Sequence, residues 1–122
     1  MEHTVKIDDS SGICVIQASG TLRRPQDSLV LLRAAGTAAT GRGIRRILFD
    51  LREAEIIGTT MGAYETVVEP EKYGLSRHLR IAVVYSVITE DERFMENLGV
   101  NRGANAFRVF DDINAARAWV AQ

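Results

Sequence analysis

The sequence predicts an α/β domain with a mixed, mostly parallel sheet of about five strands and about four helices. Three observations carry that prediction. Ile47, Leu48 and Phe49 form an unbroken apolar run inside the stretch Ile44–Leu51. Such a run reads as a strand buried on both faces, the state of parallel strands covered by helices. Helical apolar spacing recurs on both sides of it, at Leu29, Leu32, Ala35 and Ala39 before and at Met61, Tyr64, Val67 and Val68 after. The chain opens with two strand-like segments joined by the turn cluster Asp8–Gly12, which predicts an N-terminal β-hairpin.

The elements follow in order. His3–Ile7 alternates polar and apolar residues and reads as a strand with one wet face at a sheet edge. Ile13–Ala18 is a more buried strand, which Gly20-Thr21-Leu22 leaves. Pro25 stands where a helix can start, so the helix spans Gln26 to Ala39 and Gly41-Arg42-Gly43 ends it. Ile44–Leu51 is the central strand, and a loop runs from there to Gly58. A second helix follows from Met61 to Lys72, stopped or kinked near Pro70, and Gly74–Arg77 is a loop. Arg80–Tyr85 is the next strand. Thr89-Glu90-Asp91-Glu92 is a capping box for a helix in which Phe94 and Leu98 share a face and Gly99 takes the left-handed C′ position. Phe107–Phe110 is the last strand. Asp111 or Asp112 caps a final helix that turns Ile113, Ala116, Trp119 and Val120 inward.

With 122 residues, the chain reads as one domain over 1–122, long enough to bury a core. Lys and Arg number 15 against 16 Asp and Glu, so the chain has no basic surplus of the kind nucleic-acid binders carry. Arg23-Arg24 and Arg45-Arg46 are isolated pairs and read as solvated flanks of elements. Cys14 is the single cysteine, so no internal disulfide can form, and a reducing, cytoplasmic setting is expected. No signal peptide and no apolar run long enough for membrane insertion is visible.

Several residues invite a chemical reading and have a plainer one. Gly36–Gly43 faintly resembles a phosphate loop. That motif needs Lys and then Ser or Thr after its second Gly, where Arg42 and Gly43 stand, so the segment reads as a helix terminus. His3 and His78 have no Cys or His at ligand spacing and read as surface residues, so no metal and no cofactor is expected. Cys14 sits in a buried strand without a partner base. Asp50, at the end of the central strand, reads as a cap on nearby amides before a catalytic acid or base, and Glu53 and Glu55 read as loop residues. A hydrolase using Asp50 ranks last among the functional readings. Thr59 and Thr60 stand before a helical pattern, after the flexible Gly58. The plain reading is a helix N-cap; the sharper one is a hydroxyl open to phosphorylation, since a phosphate there would face free N–H groups.

The stretch Asp50-Leu51-Arg52-Glu53-Ala54-Glu55-Ile56-Ile57-Gly58-Thr59-Thr60-Met61-Gly62 resembles the signature segment of STAS domains, the SpoIIAA-like anti-sigma factor antagonists. In that family a strand ending in Asp/Asn-Leu leads through a short loop to Asp-Ser-Ser/Thr-Gly at a helix start. Gly20-Thr21-Leu22 resembles the family's Gly-x-Leu exit from its second strand, and the later elements fall in the family's order. The resemblance implies a SpoIIAA-like (STAS) fold. It also implies a non-enzymatic regulatory role, exercised by docking a protein partner that in the family is an anti-sigma factor and kinase. Thr59 matches the phosphoacceptor, and Gly58, Thr60, Met61 and Gly62 complete the expected docking surface. Three positions depart from the pattern: Gly58 replaces Asp, Met61 replaces Gly, and Arg23 stands where Asp often follows the exit. Some small SpoIIAA-like proteins bind lipids or other apolar ligands. The alternative is therefore an apolar-ligand carrier or sensor lined by Met61, Tyr64, Val67, Val68 and Tyr73. The wet-faced first strand is a candidate homodimer edge.

Overall fold

The computed structural model describes residues 1–24, 26–39, 42–58, 79–102 and 106–122, the side chains of 95 and 98–102 excepted. Its elements are β1 (Glu2–Asp8), β2 (Ile13–Arg23), α1 (Gln26–Ala39), β3 (Arg46–Ile57), β4 (Arg80–Val84), α2 (Glu90–Arg102), β5 (Ala106–Phe110) and α3 (Ile113–Val120). The strands lie in the order β1-β2-β3-β4-β5. β1 is antiparallel to β2, and the remaining neighbours are parallel. The expected mixed sheet with its N-terminal hairpin is therefore present. The second expected helix, Met61–Lys72, lies outside the described residues, which contain three helices. None of these is long and apolar enough to cross a membrane.

The hairpin turn follows from Asp8 and Gly12. The Asp8 carboxylate accepts from the Ser10 amide and hydroxyl at 3.1 and 2.7 Å, and the Gly12 amide closes onto the Asp8 carbonyl at 2.8 Å. These bonds build an Asx-type turn.

β3 lies at the centre, and strand alternation splits its apolar residues between two cores. Ile47, Phe49 and Leu51 join Cys14, Ile16, Ile81 and Val83 beneath Leu31, Leu32 and Ala35 of α1. Leu48 joins Ala82 and Val84 beneath Ala116 and Val120 of α3 on the other face. Period-2 alternation requires this split, and burying each such side chain contributes about 1.5–3 kcal/mol. The unbroken apolar run is thus a strand covered on both sides.

Two strands run further than the sequence suggests. Gly20-Thr21-Leu22 stays in β2 and pairs with Ala54, Glu55 and Ile56, so the stretch after Leu51 is strand and not loop. Glu53 and Glu55 are accordingly exposed strand residues. The register between β2 and β3 shifts between Gln17 and Ser19, which face Asp50 and Glu53 respectively. β3 thus carries one extra residue there, a bulge, and a one-residue slip turns the following side chains over. Ala54 and Ile56 thereby pack against the same core as Ile47, Phe49 and Leu51, although their numbering has changed from odd to even.

Asp50 closes the bulge. Its Oδ1 accepts from the Arg52 amide at 3.2 Å, and its two oxygens accept from Arg52 Nε and Nη2 at 2.9 and 2.8 Å. The carboxylate is buried, and it caps an amide inside a strand where the sequence suggested a loop.

α2 corrects the sequence reading twice. The helix continues through Gly99 to Arg102, so Gly99 is no C′ residue. Phe94 is 52% exposed. The reason is that Glu92 and Glu96, one turn apart, hold the inward face: Glu92 is buried, and Glu96 Oε2 accepts from the Val109 amide of β5 at 2.7 Å. Phe94 lies roughly opposite Glu92 around the helix. α3 meets expectation, with Asp112 as its N-cap accepting from the Asn114 amide at 2.8 Å and with Ala116 and Val120 buried.

The bonds from Arg52 hold the Asp50 carboxyl below its ordinary range, against the opposing effect of burial. Its folded pKa is below its unfolded one, so the stability it contributes is present above about pH 4 and is lost as pH falls through the folded value. Asp50→Asn is expected to lower stability at pH 7 by about 1 kcal/mol, because Arg52 is substantially exposed and screened. The gap from wild type should narrow as urea melts are taken from pH 5 to pH 2. A gap constant over that range would show that Asp50 is not held ionised.

Candidate functional site

The carboxyl ends of β2, β3 and β4 meet the start of α2 around a buried polar cluster. Arg24 follows β2, and its amide donates to the Ile57 carbonyl at 2.7 Å, tying the ends of β2 and β3 together. Its guanidinium Nη2 donates to Tyr85 Oη at 3.2 Å and to Glu92 Oε1 at 3.5 Å. Arg24, Tyr85 and Glu92 are all buried. The arginine was expected on a solvated flank, and burial here is possible because a carboxylate and a phenol meet its charge. A charge removed from water requires such partners.

Glu92 also keeps half of the expected capping box: its Oε2 accepts from the Thr89 amide at 3.1 Å. One carboxylate therefore starts α2 and neutralises Arg24. Burial, with the Glu92 charge acting in the same sense, pushes the Tyr85 hydroxyl up to about 12 despite the neighbouring Arg24.

Gly58 is the last described residue before the expected site. Its φ of +111° falls where side chains are strained, and a Cβ there would stand 2.6 Å from the Arg24 carbonyl oxygen. Where the STAS signature has Asp, this chain needs Gly because the backbone passes hard against Arg24. Above the cluster lies a hollow of ≈ 350 Å³ bordered by Gly58, Glu55, Val87, Thr89 and Asp91. Val87 on this rim is 70% exposed, an apolar side chain among charged ones.

The structure thus brings Gly58 together with Arg24, Tyr85 and Glu92, none of which the sequence singled out for a site. Thr59, Thr60, Met61 and Gly62 lie outside the described residues, as do Tyr64, Val67, Val68 and Tyr73. His78 does too, while His3 is exposed on β1. Cys14 is fully buried, and burial pushes its thiol up. Among the described residues no group of three or more His, Cys, Asp or Glu side chains is placed to hold a metal ion. A signal for Arg24 did exist: it directly follows a strand and abuts the helix start, where chain ends converge.

Two expectations test this cluster. Gly58→Ala should cost about 2–4 kcal/mol in urea unfolding, from strain plus collision, whereas Gly12→Ala, at a left-handed φ of +69° in open space, should cost about 1 kcal/mol. Equal losses would contradict the close approach to Arg24. Tyr85, with a folded pKa above its unfolded value near 10, contributes stability that is fully present below pH 10 and lost as pH rises towards 12, about 2–3 kcal/mol in all. The difference in phenolate absorbance between wild type and Tyr85→Phe should therefore appear only near pH 12 or on unfolding; a transition near pH 10 in the folded protein would refute the buried environment.

No protein-family model matches the chain, and no curated protein matches it significantly. Solved structures do. An uncharacterised protein of the DUF3478 family with a SpoIIAA-like fold, from Shewanella loihica PV-4, superposes with a TM-score of 0.59 at 17% identity, over 97% of this chain and 93% of that one. The anti-sigma factor antagonist SpoIIAA in its unphosphorylated form superposes with a TM-score of 0.60 at 12% identity, over 96% and 94%. The protein therefore has a SpoIIAA-like, STAS-type fold in divergent form.

Proposed function

We propose that this is a non-enzymatic regulatory domain that docks a protein partner at the carboxyl end of its sheet, on a surface centred on Gly58–Gly62. The observation that carries this reading is the rim beside Gly58, where Val87 is left exposed over a cluster whose opposite charges meet one another. An exposed apolar side chain above such a base suits an interface core. The similarity to SpoIIAA, an anti-sigma factor antagonist, points the same way. The hollow is bordered by Arg24, Glu55, Asp91 and Glu92, which suits a polar protein surface better than an apolar guest. Asp50 has both oxygens engaged by Arg52, a poor setting for a hydrolytic acid or base.

Thr59 is the phosphoacceptor in this proposal. A phosphate adds close to two negative charges, and an interface built around a neutral hydroxyl would have to desolvate them. Phosphorylation releases the partner while the domain stays folded.

The partner is first isolated by affinity capture from the native cell and its affinity then measured. Val87→Asp and Thr59→Asp are each expected to weaken it at least about tenfold, the loss of one good interface contact, with Tm within a degree or two of wild type. Thr59→Ala should bind like wild type. Wild-type affinity in both Asp variants would sink the proposal.

A further inference from the structure

The amino end of the parallel sheet carries a second site. A hollow of ≈ 530 Å³ is lined by four arginines, Arg42, Arg45, Arg46 and Arg80, with no Asp or Glu among its lining residues. Arg46 and Arg80 are directly paired across the β3–β4 ladder, and the Arg80 amide donates to the Arg45 carbonyl at 2.7 Å. Like charges placed opposite one another in a sheet repel. Neither is neutralised by a carboxylate side chain among the described residues. Arg80 Nε donates to the Trp119 carbonyl at 2.7 Å, and its Nη2 donates to Gln122 Oε1 at 3.2 Å. Arg46 Nη2 donates to the Gln122 main-chain oxygen at 3.3 Å. The Arg80 guanidinium also stacks on the Trp119 ring, 3.9 Å from its centroid. These contacts fix the orientation of Arg80 without using carboxylate side chains to cancel its charge. A full negative charge on the Gln122 oxygen would still leave a cationic surplus.

We propose that this hollow binds a multiply charged phosphate group. Four arginines lining one hollow carry more positive charge than a single carboxylate can balance, and the guanidinium group is a planar donor suited to phosphate oxygens. Stacking and hydrogen bonding hold Arg80 in place before the ligand arrives, which lowers the ordering cost of binding. The apolar floor is formed by Ile44 and Leu79, both buried. The arginines come from the turn after α1 and from the first positions of β3 and β4, so only the folded sheet assembles them. The site is independent of the docking surface at the other end of the strands. Its ligand is a free polyphosphate or the headgroup of a polyphosphorylated lipid, which present the same chemistry.

The test uses calorimetry with inorganic pyrophosphate, and co-sedimentation with phosphatidylcholine vesicles that carry a small fraction of phosphatidylinositol bisphosphate. The expected result is one-site pyrophosphate binding that weakens with salt. Arg45→Gln and Arg46→Gln should each weaken it about tenfold or more, as befits loss of a charge-assisted bond, while the exposed Arg33→Gln, with the same charge change, leaves it unchanged. Amide shifts on titration should concentrate at 42–46, 79–80 and 119–122. Vesicle binding that pyrophosphate competes away assigns the site to a lipid headgroup; pyrophosphate binding without vesicle binding assigns it to a soluble ligand. The proposal is overturned if neither probe binds at about 1 mM, or if Arg45→Gln and Arg46→Gln lose no more affinity than Arg33→Gln.

Discussion

A strand buried on both faces and paired on both edges imposes its conditions on everything around it, and β3 is that strand. Its backbone bonds demand β2 and β4 as neighbours, and its alternating side chains demand a cover on each face. α1 supplies one cover and α3 the other. The bulge opposite Gln17 and Ser19 answers a further demand. After it, β3 leaves the shelter of β4, whose pairing with β3 ends at Asp50–Val84. By turning its side chains over, the strand keeps Ala54 and Ile56 on the core beneath α1 and sends Glu53 and Glu55 outward. Asp50 sits at the hinge of this change and caps the Arg52 amide.

The two ends of the sheet manage arginine in opposite ways. At the carboxyl end Arg24 is buried and paired with Glu92 and Tyr85, so the cluster is rigid and internally balanced. Removing one member would leave an uncompensated charge in a low-dielectric setting, a change that typically costs about 3–5 kcal/mol. At the amino end Arg46 and Arg80 donate to main-chain and side-chain amide oxygens, and no carboxylate side chain among the described residues pairs with them. The first arrangement balances a buried charge within the fold, and the second leaves positive charge without a carboxylate side chain beside it among the described residues.

The two edges of the sheet differ as well. On the β5 side, Glu96 of α2 takes the Val109 amide at 2.7 Å, so an edge donor that could recruit another strand is already used. β1 is exposed along nearly its whole length, and among the described residues only β2 pairs with it. Its Glu2, His3, Lys6 and Asp8 place charged and polar side chains along that edge, a common way to discourage strand addition. Self-association through β1 would therefore have to match these charges in register.

What the sequence disclosed, and what it hid, follows from the range of the interactions involved. Local signals were legible: α1 begins and ends at Gln26 and Ala39 as its stripe and flanking residues require, and the hairpin turn follows from Asp8 and Gly12. The unbroken run at Ile47–Phe49 announced two-sided burial correctly. The continuation of β3 was hidden because the bulge breaks the alternation by which a strand is recognised. α2 misled because its inward positions are filled by Glu92 and Glu96, which periodicity assigns to the solvent. The polar clusters were hidden for a deeper reason. Arg24 lies 61 residues from Tyr85 and 68 from Glu92, and Arg80 lies 39 from Trp119. A buried charge is compatible with the fold only when its distant partners exist, and no local pattern around Arg24 announces them. Through Gly58, the resemblance to the STAS signature points to the end of the sheet where Arg24, Tyr85 and Glu92 meet. The reason for glycine there, a close approach to the Arg24 carbonyl, belongs to the assembled structure alone.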